Sequence, residues 1–541
     1  MIKIDQQSNM DISLPFNPQQ YRHDTAGVTP SNIHFAKRIY ALLVVLVVVS
    51  LPYLRMTNAY FLGYDDFKEV HRAAFEDTPQ PARIFTTGHF GQAKYRPLNR
   101  AINFISYRFG CGNPLDFRAR NLFFHLLNCS VLFSIGMLLF DSIFISALGA
   151  VLFGLNPLVH QAVAGAVMTN TAAASMALFA VFLGILSCRE TKHELRWLVL
   201  AITAAWIGVL IYESDVAVLG IIFLYFALNS SFLYYLRTWK LWVWAYLLLS
   251  TLVIASMFWM RAMIIIGAQQ PVASLAAIAK NAAMYSLALL LPVDPLLANQ
   301  WLGTPLVSEV HLDNTIIIIA TCSVCLIAAV IFVYRRPIRR YLSSLRLMPC
   351  AFLLGAACLS LLPLLVFNDH PSETYLYLPT TFAMLLLAYL FSNLRRFNPT
   401  ASYVVIALLL TSFSGATWGR SQRVVCSAAI AHRILSELPT NKWKQGEWRI
   451  RLANVSGMTL PHRYGLYTYR GLDTIGTGDG IGSIQCALQL QTGNERGVVV
   501  DVLSAAQMPQ ICTPASAIKE PCYWVYPNGR VEQFLGVLRA E

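Results

Sequence analysis

The stretch KRIYALLVVLVVVSLPYLRMTNAYFLGYDDF, residues 37–67, joins a basic pair, a long apolar run and two adjacent acids. The run 38–56 has the length of a spanning helix, which needs about 20 predominantly apolar residues. Lys37 and Arg38 precede it, so it reads as a signal anchor with residues 1–36 as a cytoplasmic tail. Asp65 and Asp66 then follow the run by about ten residues and fall at the opposite membrane surface. The plainest use of such a pair is to cap a surface helix, since Asp is a favoured N-cap residue. The rest of the chain argues for more.

Composition places the whole chain in a membrane. Of 541 residues, 56% are hydrophobic and only 13% charged, with a mean hydropathy of +0.52; this fits a polytopic membrane protein and excludes an ordinary soluble one. The 30 Phe and 24 Tyr fit the same class, because aromatic rings favour the two interfaces of a bilayer. A net charge of +13 would point to nucleic acid in a soluble protein. Here Lys and Arg sit in short loops between apolar runs, so the positive-inside rule accounts for them and no nucleic-acid partner is expected. No small-residue cleavage site follows the first run, and no Cys spacing reads as structural zinc.

Candidate spans are 38–56, 121–140, 142–157, 170–187, 197–212, 214–229, 241–260, 314–334, 348–367, 375–392 and 402–419. The clusters Arg189/Lys192/Arg196, Arg237/Lys240, Arg335/Arg336/Arg339/Arg340 and Arg395/Arg396 lie between them and should all be cytoplasmic. Alternate threading satisfies every cluster if the short stretch 281–297, with Pro292 and Pro295, is re-entrant or interfacial. Eleven crossings follow, and an odd count places the C-terminal region outside.

That topology sorts the polar residues. Asp65, Asp66, Lys94, Arg96, His160, Glu213, Asp215, Asp369, His370 and Glu373 all fall on the outer side. Charges this close to lipid are costly and are usually functional or paired, so their gathering on one face marks an active face. The first outer loop, 57–116, mixes Phe75, Ile84, Phe85, Phe90 and Tyr95 with charges and reads as short amphipathic helices on the outer leaflet. His125 and Asn128 in the second span read as helix-packing groups.

Residues 421–541 change in character. The segment 420–440 reads as a short helix, and beyond Trp443 alternating runs around Trp448–Leu452 and Val498–Val502 read as strands. Gly476-Thr477-Gly478-Asp479-Gly480 lacks the Lys-Ser/Thr ending of a phosphate loop and reads as a turn. Cys486, Cys512 and Cys522 would allow one disulfide if the region is extracytoplasmic. The aromatic residues Trp443, Trp448, Tyr464, Tyr467, Tyr469 and Trp524 fit either a binding module for an acceptor or a stabilising cap.

Five motifs in order carry a resemblance: Tyr95-Arg96-Pro97-Leu98; Asn121-Leu122-Phe123-Phe124-His125-Leu126-Leu127-Asn128; Asn156-Pro157-Leu158 with Ala162-Val163-Ala164-Gly165; Glu213 ending a span; and Glu373-Thr374-Tyr375-Leu376-Tyr377-Leu378-Pro379. Over residues 38–420 the chain resembles the membrane half of GT-C glycosyltransferases, in particular the TPR-containing O-mannosyltransferases and the dolichyl-phosphate-mannose protein mannosyltransferases. The resemblance implies an all-α polytopic membrane protein, GT-C-like, with about 11 spans plus a re-entrant segment and a small C-terminal extracytoplasmic α+β domain. It implies a catalytic domain over 37–420, with Asp65 and Asp66 as the catalytic pair, Lys94, Arg96 and Arg100 near the donor phosphate, and His160, Glu213, Asp215, His370, Glu373 and Tyr375 lining the substrate. Three departures stand out: Thr374 replaces an Arg, Gln161 an acid and Tyr212 a Lys. Because of these departures mannose is not implied as the sugar; the tail departs too, with no 34-residue helical repeat in 420–541.

The implied reaction moves a sugar from a polyprenyl-phosphate-linked donor to an acceptor hydroxyl, on a secreted protein such as a pilin or on a cell-envelope glycan, outside a bacterial inner membrane. Phosphate is a good leaving group that needs charge stabilisation more than an acid, so one carboxylate base plus cations or a metal suffices. Asp66 is the expected base, with Asp65 orienting it or sharing a divalent cation, Mg or Mn; the two roles are interchangeable at this level. No cofactor is fixed, and inversion at the sugar carbon follows from a single displacement. A ligase of a whole lipid-linked glycan fits the same residues. A lipid or sugar transporter would carry its ionisable residues near the midplane and often an inverted repeat; here the acids sit at span ends.

Overall fold

The computed structural model describes residues 31–62, 65–88, 95–189, 193–229, 241–293, 347–365, 372–444, 446–453, 483–495, 498–503, 520–526 and 530–534, apart from 265–273. The run 314–334 and the Gly476–Gly480 turn lie outside the described residues. What is described is mainly helix, with one small sheet near the C-terminus. Among the described residues, seven helices are long and apolar enough to cross a membrane, and eight if a bent pair counts as one span.

The spans begin where local chemistry dictates. Helix α1 (Ser31–Leu54) carries the first apolar run. The loop expected on the outer side holds α2 (Asp66–Arg72), α3 (Arg83–Thr86) and α4 (Pro97–Gly110). Helix α5 (Pro114–Phe140) opens on Asn113, whose side chain accepts the Leu115 amide, with Pro114 at the first turn. Helix α6 (Ile143–Gly154) has Ser142 as its cap. Asn156-Pro157 then breaks the run: the Asn156 side chain accepts the Leu158 amide at 2.9 Å, and α7 (His160–Ala164) leaves at 53° to α6. The expected span 142–157 is therefore a bent element.

Helices α8 (Asn170–Arg189), α9 (Glu194–Ile211) and α10 (Ala217–Leu228) follow, then α11 (Leu241–Ile264), α12 (Leu275–Leu290), α13 (Leu347–Leu365) and α14 (Tyr377–Phe397). The expected span at 214–229 is only the 12 residues of α10, short of a straight crossing. Close approaches are set by small residues: a Cβ on Gly136 of α5 would meet Ser146 of α6 at 2.8 Å, and one on Gly149 of α6 would meet Leu385 of α14 at 2.7 Å. His125 and Asn128 tie helices together, reaching the Tyr377 hydroxyl at 2.7 and 3.0 Å.

Helix α15 (Pro399–Glu437) corrects the expectation of a span at 402–419 followed by a separate helix. It runs unbroken for 39 residues, roughly 58 Å at about 1.5 Å per residue, twice the apolar thickness of a bilayer. Gly415 and Gly419 do not interrupt it, because nothing else within the helix removes an N–H or forces a turn. The 420/421 boundary drawn from composition thus falls inside one continuous helix.

Beyond it, strands β1 (Trp448–Ala453), β2 (Val498–Leu503), β3 (Cys522–Val525) and β4 (Val531–Gln533) form a sheet of order β2-β1-β3-β4, with helix α16 (Ser483–Thr492) against it. β1 pairs parallel with β2 and β3, and β3 antiparallel with β4. The sheet's core is shared: Ile450, Leu452, Leu488 and Trp443 pack in one cluster with Phe61, Phe67 and Val70 of the outer loop and Ile434 of α15. Cys522 is disulfide-bonded, whereas Cys486 is a buried free thiol.

The two ends of the bundle differ. At one end Arg38 of α1 meets Asp141 at 3.3 Å, and Arg395 of α14 lies over Phe144, 4.6 Å from its ring centre. At the other end the close of α1, the starts of α5, α8 and α14 and the far half of α15 converge under the outer loop.

Candidate active site

Asp65 and Asp66 are adjacent in the chain and sit in different surroundings. Asp66, the first residue of α2, is 2% exposed. One of its carboxylate oxygens accepts the Leu62 amide at 3.0 Å and the other the Val167 amide at 3.3 Å. Burial raises its carboxyl above the usual carboxylate range, against the pull of the Arg118 guanidinium and of these amides. Arg118 is itself fully buried and donates to the carbonyls of Ala59, Tyr60 and Ala164. Asp66 and Arg118 together pin the segment 59–66 to the turn after α7.

Asp65 is half-buried and occupies the N-cap position of α2, yet its side chain makes no capping hydrogen bond. Helix capping, the plain explanation for the pair, therefore does not account for it. It lies within electrostatic reach of Glu69, one turn on, and of Tyr375. Glu69 is buried, paired with Arg72 at 3.0 Å, and its carboxyl is raised by burial first, with Asp65 adding to the rise. The spacing of four between Asp65 and Glu69 is the signal that would have found Glu69 in the sequence.

Each oxygen of Asp66 accepts one backbone amide, and among the described residues no group of three or more His, Cys, Asp or Glu has metal-binding geometry.

The fixed cation of the site is Arg96, at the start of α4. Its Nε and Nη2 donate to Glu213 at 2.5 and 2.8 Å, and its guanidinium lies 4.1 Å from the ring centre of Tyr212. Burial works against the charge, but Glu213 and Tyr212 outweigh it and hold the proton more firmly than usual. Tyr212 faces Tyr375, with ring centres 6.2 Å apart. Behind the pair, Asp215 is 4% exposed and its Oδ2 has no hydrogen-bond partner among the described residues. Burial, then the neighbouring Glu213 charge, pushes its carboxyl well above the usual range.

Three of the residues expected to bind or line substrate are committed elsewhere. Arg100 has all five N–H groups engaged: Nε and Nη2 on Asp77, Nη2 also on Glu76, and Nη1 on the Arg83 carbonyl and the Thr87 hydroxyl. It clamps the outer loop and offers no donor to a phosphate. His160 is fully buried, 2.9 Å from the Ser421 hydroxyl and stacked on Tyr53. Glu373, 1% exposed, pairs with Arg420 of α15 at 2.5 Å, and Arg420 also donates to the Pro157 carbonyl. Both His160 and Glu373 are buried in the interior of the bundle. Lys94 and His370, with Asp369, lie outside the described residues.

No protein-family model matches the chain, and no curated protein matches it in sequence. Among solved structures it is similar to ArnT from Cupriavidus metallidurans in the apo state, at 13% identity and a TM-score of 0.46 over 91% of this chain and 93% of that one. It is also similar to the archaeal oligosaccharyltransferase AglB from Archaeoglobus fulgidus, solved with an inhibitory peptide and a dolichol-phosphate, at 11% identity and a TM-score of 0.48 over 93% and 75% of the two chains. ArnT bound to undecaprenyl phosphate matches at 13% identity, with a TM-score of 0.42. Likeness at this level fixes neither a substrate nor the role of any residue.

Proposed function

We propose that the chain is an integral membrane glycosyltransferase of the GT-C type that moves a sugar from a polyprenyl-phosphate-linked donor to an acceptor hydroxyl outside the cytoplasmic membrane. The observation that carries this reading is that Asp65, an acid whose side chain makes no capping hydrogen bond, and Arg96, held by Glu213 and Tyr212 with its Nη1 making no hydrogen bond among the described residues, both lie within electrostatic reach of Tyr375.

In this reading Asp65, rather than Asp66, is the base. It takes the proton of the acceptor hydroxyl as that oxygen attacks the anomeric carbon. The bond from carbon to phosphate oxygen breaks, its electron pair leaves with the phosphate, and Arg96 stabilises the charge that develops there. A single displacement inverts the anomeric carbon, and neither a second carboxylate nor a metal is needed.

The outward placement of the site is supported by the disulfide at Cys522, which belongs in an oxidising compartment. It is also supported by the basic residues Arg38 and Arg395 at the other end of the bundle. The experiment is transfer by the purified chain in lipid nanodiscs, given radiolabelled polyprenyl-phosphate sugars and extracts of surface protein or glycolipid. Labelled product of inverted anomeric configuration supports the reading. Release of intact lipid-linked glycan, or transport without bond cleavage, overturns it.

A further inference from the structure

One residue, Val167, is hydrogen-bonded to both halves of the proposed site. It lies in the turn 165–169 that joins α7 to α8, closed by the Met168 amide donating to the Gly165 carbonyl at 3.2 Å. The Val167 N–H donates to the carboxylate of Asp66, the neighbour of Asp65 in the chain, at 3.3 Å. The Val167 carbonyl accepts from the Asn103 side chain of α4 at 3.0 Å. Asn99, one turn nearer Arg96 on the same face of α4, donates to the Thr169 hydroxyl at 2.6 Å. Arg120 of α5 closes the arrangement. Its Nη1 donates to Asn103 at 2.8 Å and to Ser106 at 2.9 Å, and its Nη2 donates to the Ala166 carbonyl at 2.9 Å. Asn121 donates to the Gly165 carbonyl at 2.7 Å. Asn99, Asn103, Val167 and Thr169 are all buried, so α4 seats a polar inner face on this turn.

From this geometry we infer that the turn 165–169 is a positioning element of the transfer site: it sets the separation of Asp65, beside the start of α2, from Arg96, beside the start of α4, with Asn99 and Thr169 as positioning residues. The inference rests on the transfer reading above and deepens it. In a single displacement the base acts on the attacking oxygen and the cation on the leaving one, on opposite sides of the same carbon. Rate then depends on holding the two groups at one separation, and a small misplacement costs turnover. Helices of seven and 14 residues, as α2 and α4 are, take their positions from what they pack against. Arg96 has an anchor of its own in Glu213, so slack at Asn99 should disturb alignment more than donor binding.

The test uses the full chain in nanodiscs with Thr169→Val, Thr169→Ser, Asn99→Ala and the double variant of Thr169→Val with Asn99→Ala. Thr169→Val removes the acceptor at nearly constant shape, and Thr169→Ser keeps it. Asn99→Ala removes the donor and places a strong helix former in α4. Thr169→Val and Asn99→Ala should each lower kcat about fivefold, the worth of one hydrogen bond, with donor KM unchanged. Thr169→Ser should retain wild-type kcat, and the double variant should be no worse than Asn99→Ala alone. Amide hydrogen exchange, which needs no substrate, should rise across 98–106 in Thr169→Val and stay unchanged in β1 and β2. Wild-type kcat in both Thr169→Val and Asn99→Ala, a rise in KM in place of the fall in kcat, an equal loss in Thr169→Ser, or multiplicative losses would overturn the inference while wild-type transfer stands. A wild-type chain that transfers no sugar, with α4 still loosened in Thr169→Val, would instead overturn the transfer reading and reduce the turn to a structural anchor.

Discussion

Arg96 and Glu213, 117 residues apart in the chain, are joined by two nearly parallel N–H···O bonds of 2.5 and 2.8 Å. A bidentate pair of this kind fixes the guanidinium in orientation as well as in place. One edge of Arg96 is thereby used to set the direction of the other. Replacing Arg96 by Lys keeps the charge and removes the fork, so kcat/KM for the donor should fall about 10²-fold. Glu213→Gln should raise donor KM by less. Steady-state kinetics over a range of donor concentrations checks both, and an Arg96→Lys chain with wild-type constants would remove Arg96 from the phosphate site.

Arg100 gives the opposite expectation. Its guanidinium is closed off by Asp77, Glu76, Thr87 and the Arg83 carbonyl. Breaking such a buried pair from one side costs about 3–5 kcal/mol. Asp77→Ala should therefore lower the unfolding temperature of the outer loop and its protease resistance, while donor KM in the surviving folded fraction stays at the wild-type value. A specific loss of donor affinity with unchanged stability would return Arg100 to the phosphate site.

His71 makes the α2–α16 contact sensitive to pH. Burial lowers its pKa below the ordinary 6.5, against the pull of Glu495, Gln489 and Glu76 and with Arg72 adding to the fall. The folded state therefore prefers the neutral ring. Above the unfolded value near 6.5 both states are neutral and the contact is at full strength. As pH falls through and below that value the unfolded chain takes up a proton that the folded chain resists, and stability is lost. Exchange protection of 66–72 should fall as pH drops below about 6.5, and His71→Gln should flatten that part of the profile. A profile unchanged in His71→Gln would assign the effect elsewhere.

Asp65 and Asp66 also make a prediction about metal. Both Asp66 oxygens already accept the Leu62 and Val167 amides, and the proposed displacement needs no ion shared by the pair. Dialysis against a chelator should leave turnover unchanged. Activity lost on chelation and restored by Mg or Mn would contradict this arrangement.

Much of the scaffold is legible in the sequence because its causes are local. The apolar runs, the Asn113-Pro114 and Asn398-Pro399 starts and the Asn156-Pro157 break each act within a turn or two of themselves. What the sequence hides is which of two neighbouring acids turns inward. Asp66 does so because an amide 101 residues away, on Val167, awaits its carboxylate. Arg100 looks like a phosphate ligand until Asp77 and the π-helical turn Ala73–Asp77 are folded around it. The continuity of α15 through residue 420 is masked in the sequence by a change of composition that does not end the helix.

The account turns on Asp65 as the base, and one comparison tests it most directly: turnover of Asp65→Asn and Asp66→Asn, each measured per folded molecule with the same lipid-linked donor. Loss of a general base should cost Asp65→Asn about 10²–10⁴-fold in kcat. Asp66→Asn should loosen the outer loop and lower turnover by less than about tenfold. Near-wild-type turnover in Asp65→Asn, with abolition in a well-folded Asp66→Asn chain, would contradict the account and return the chemistry to Asp66.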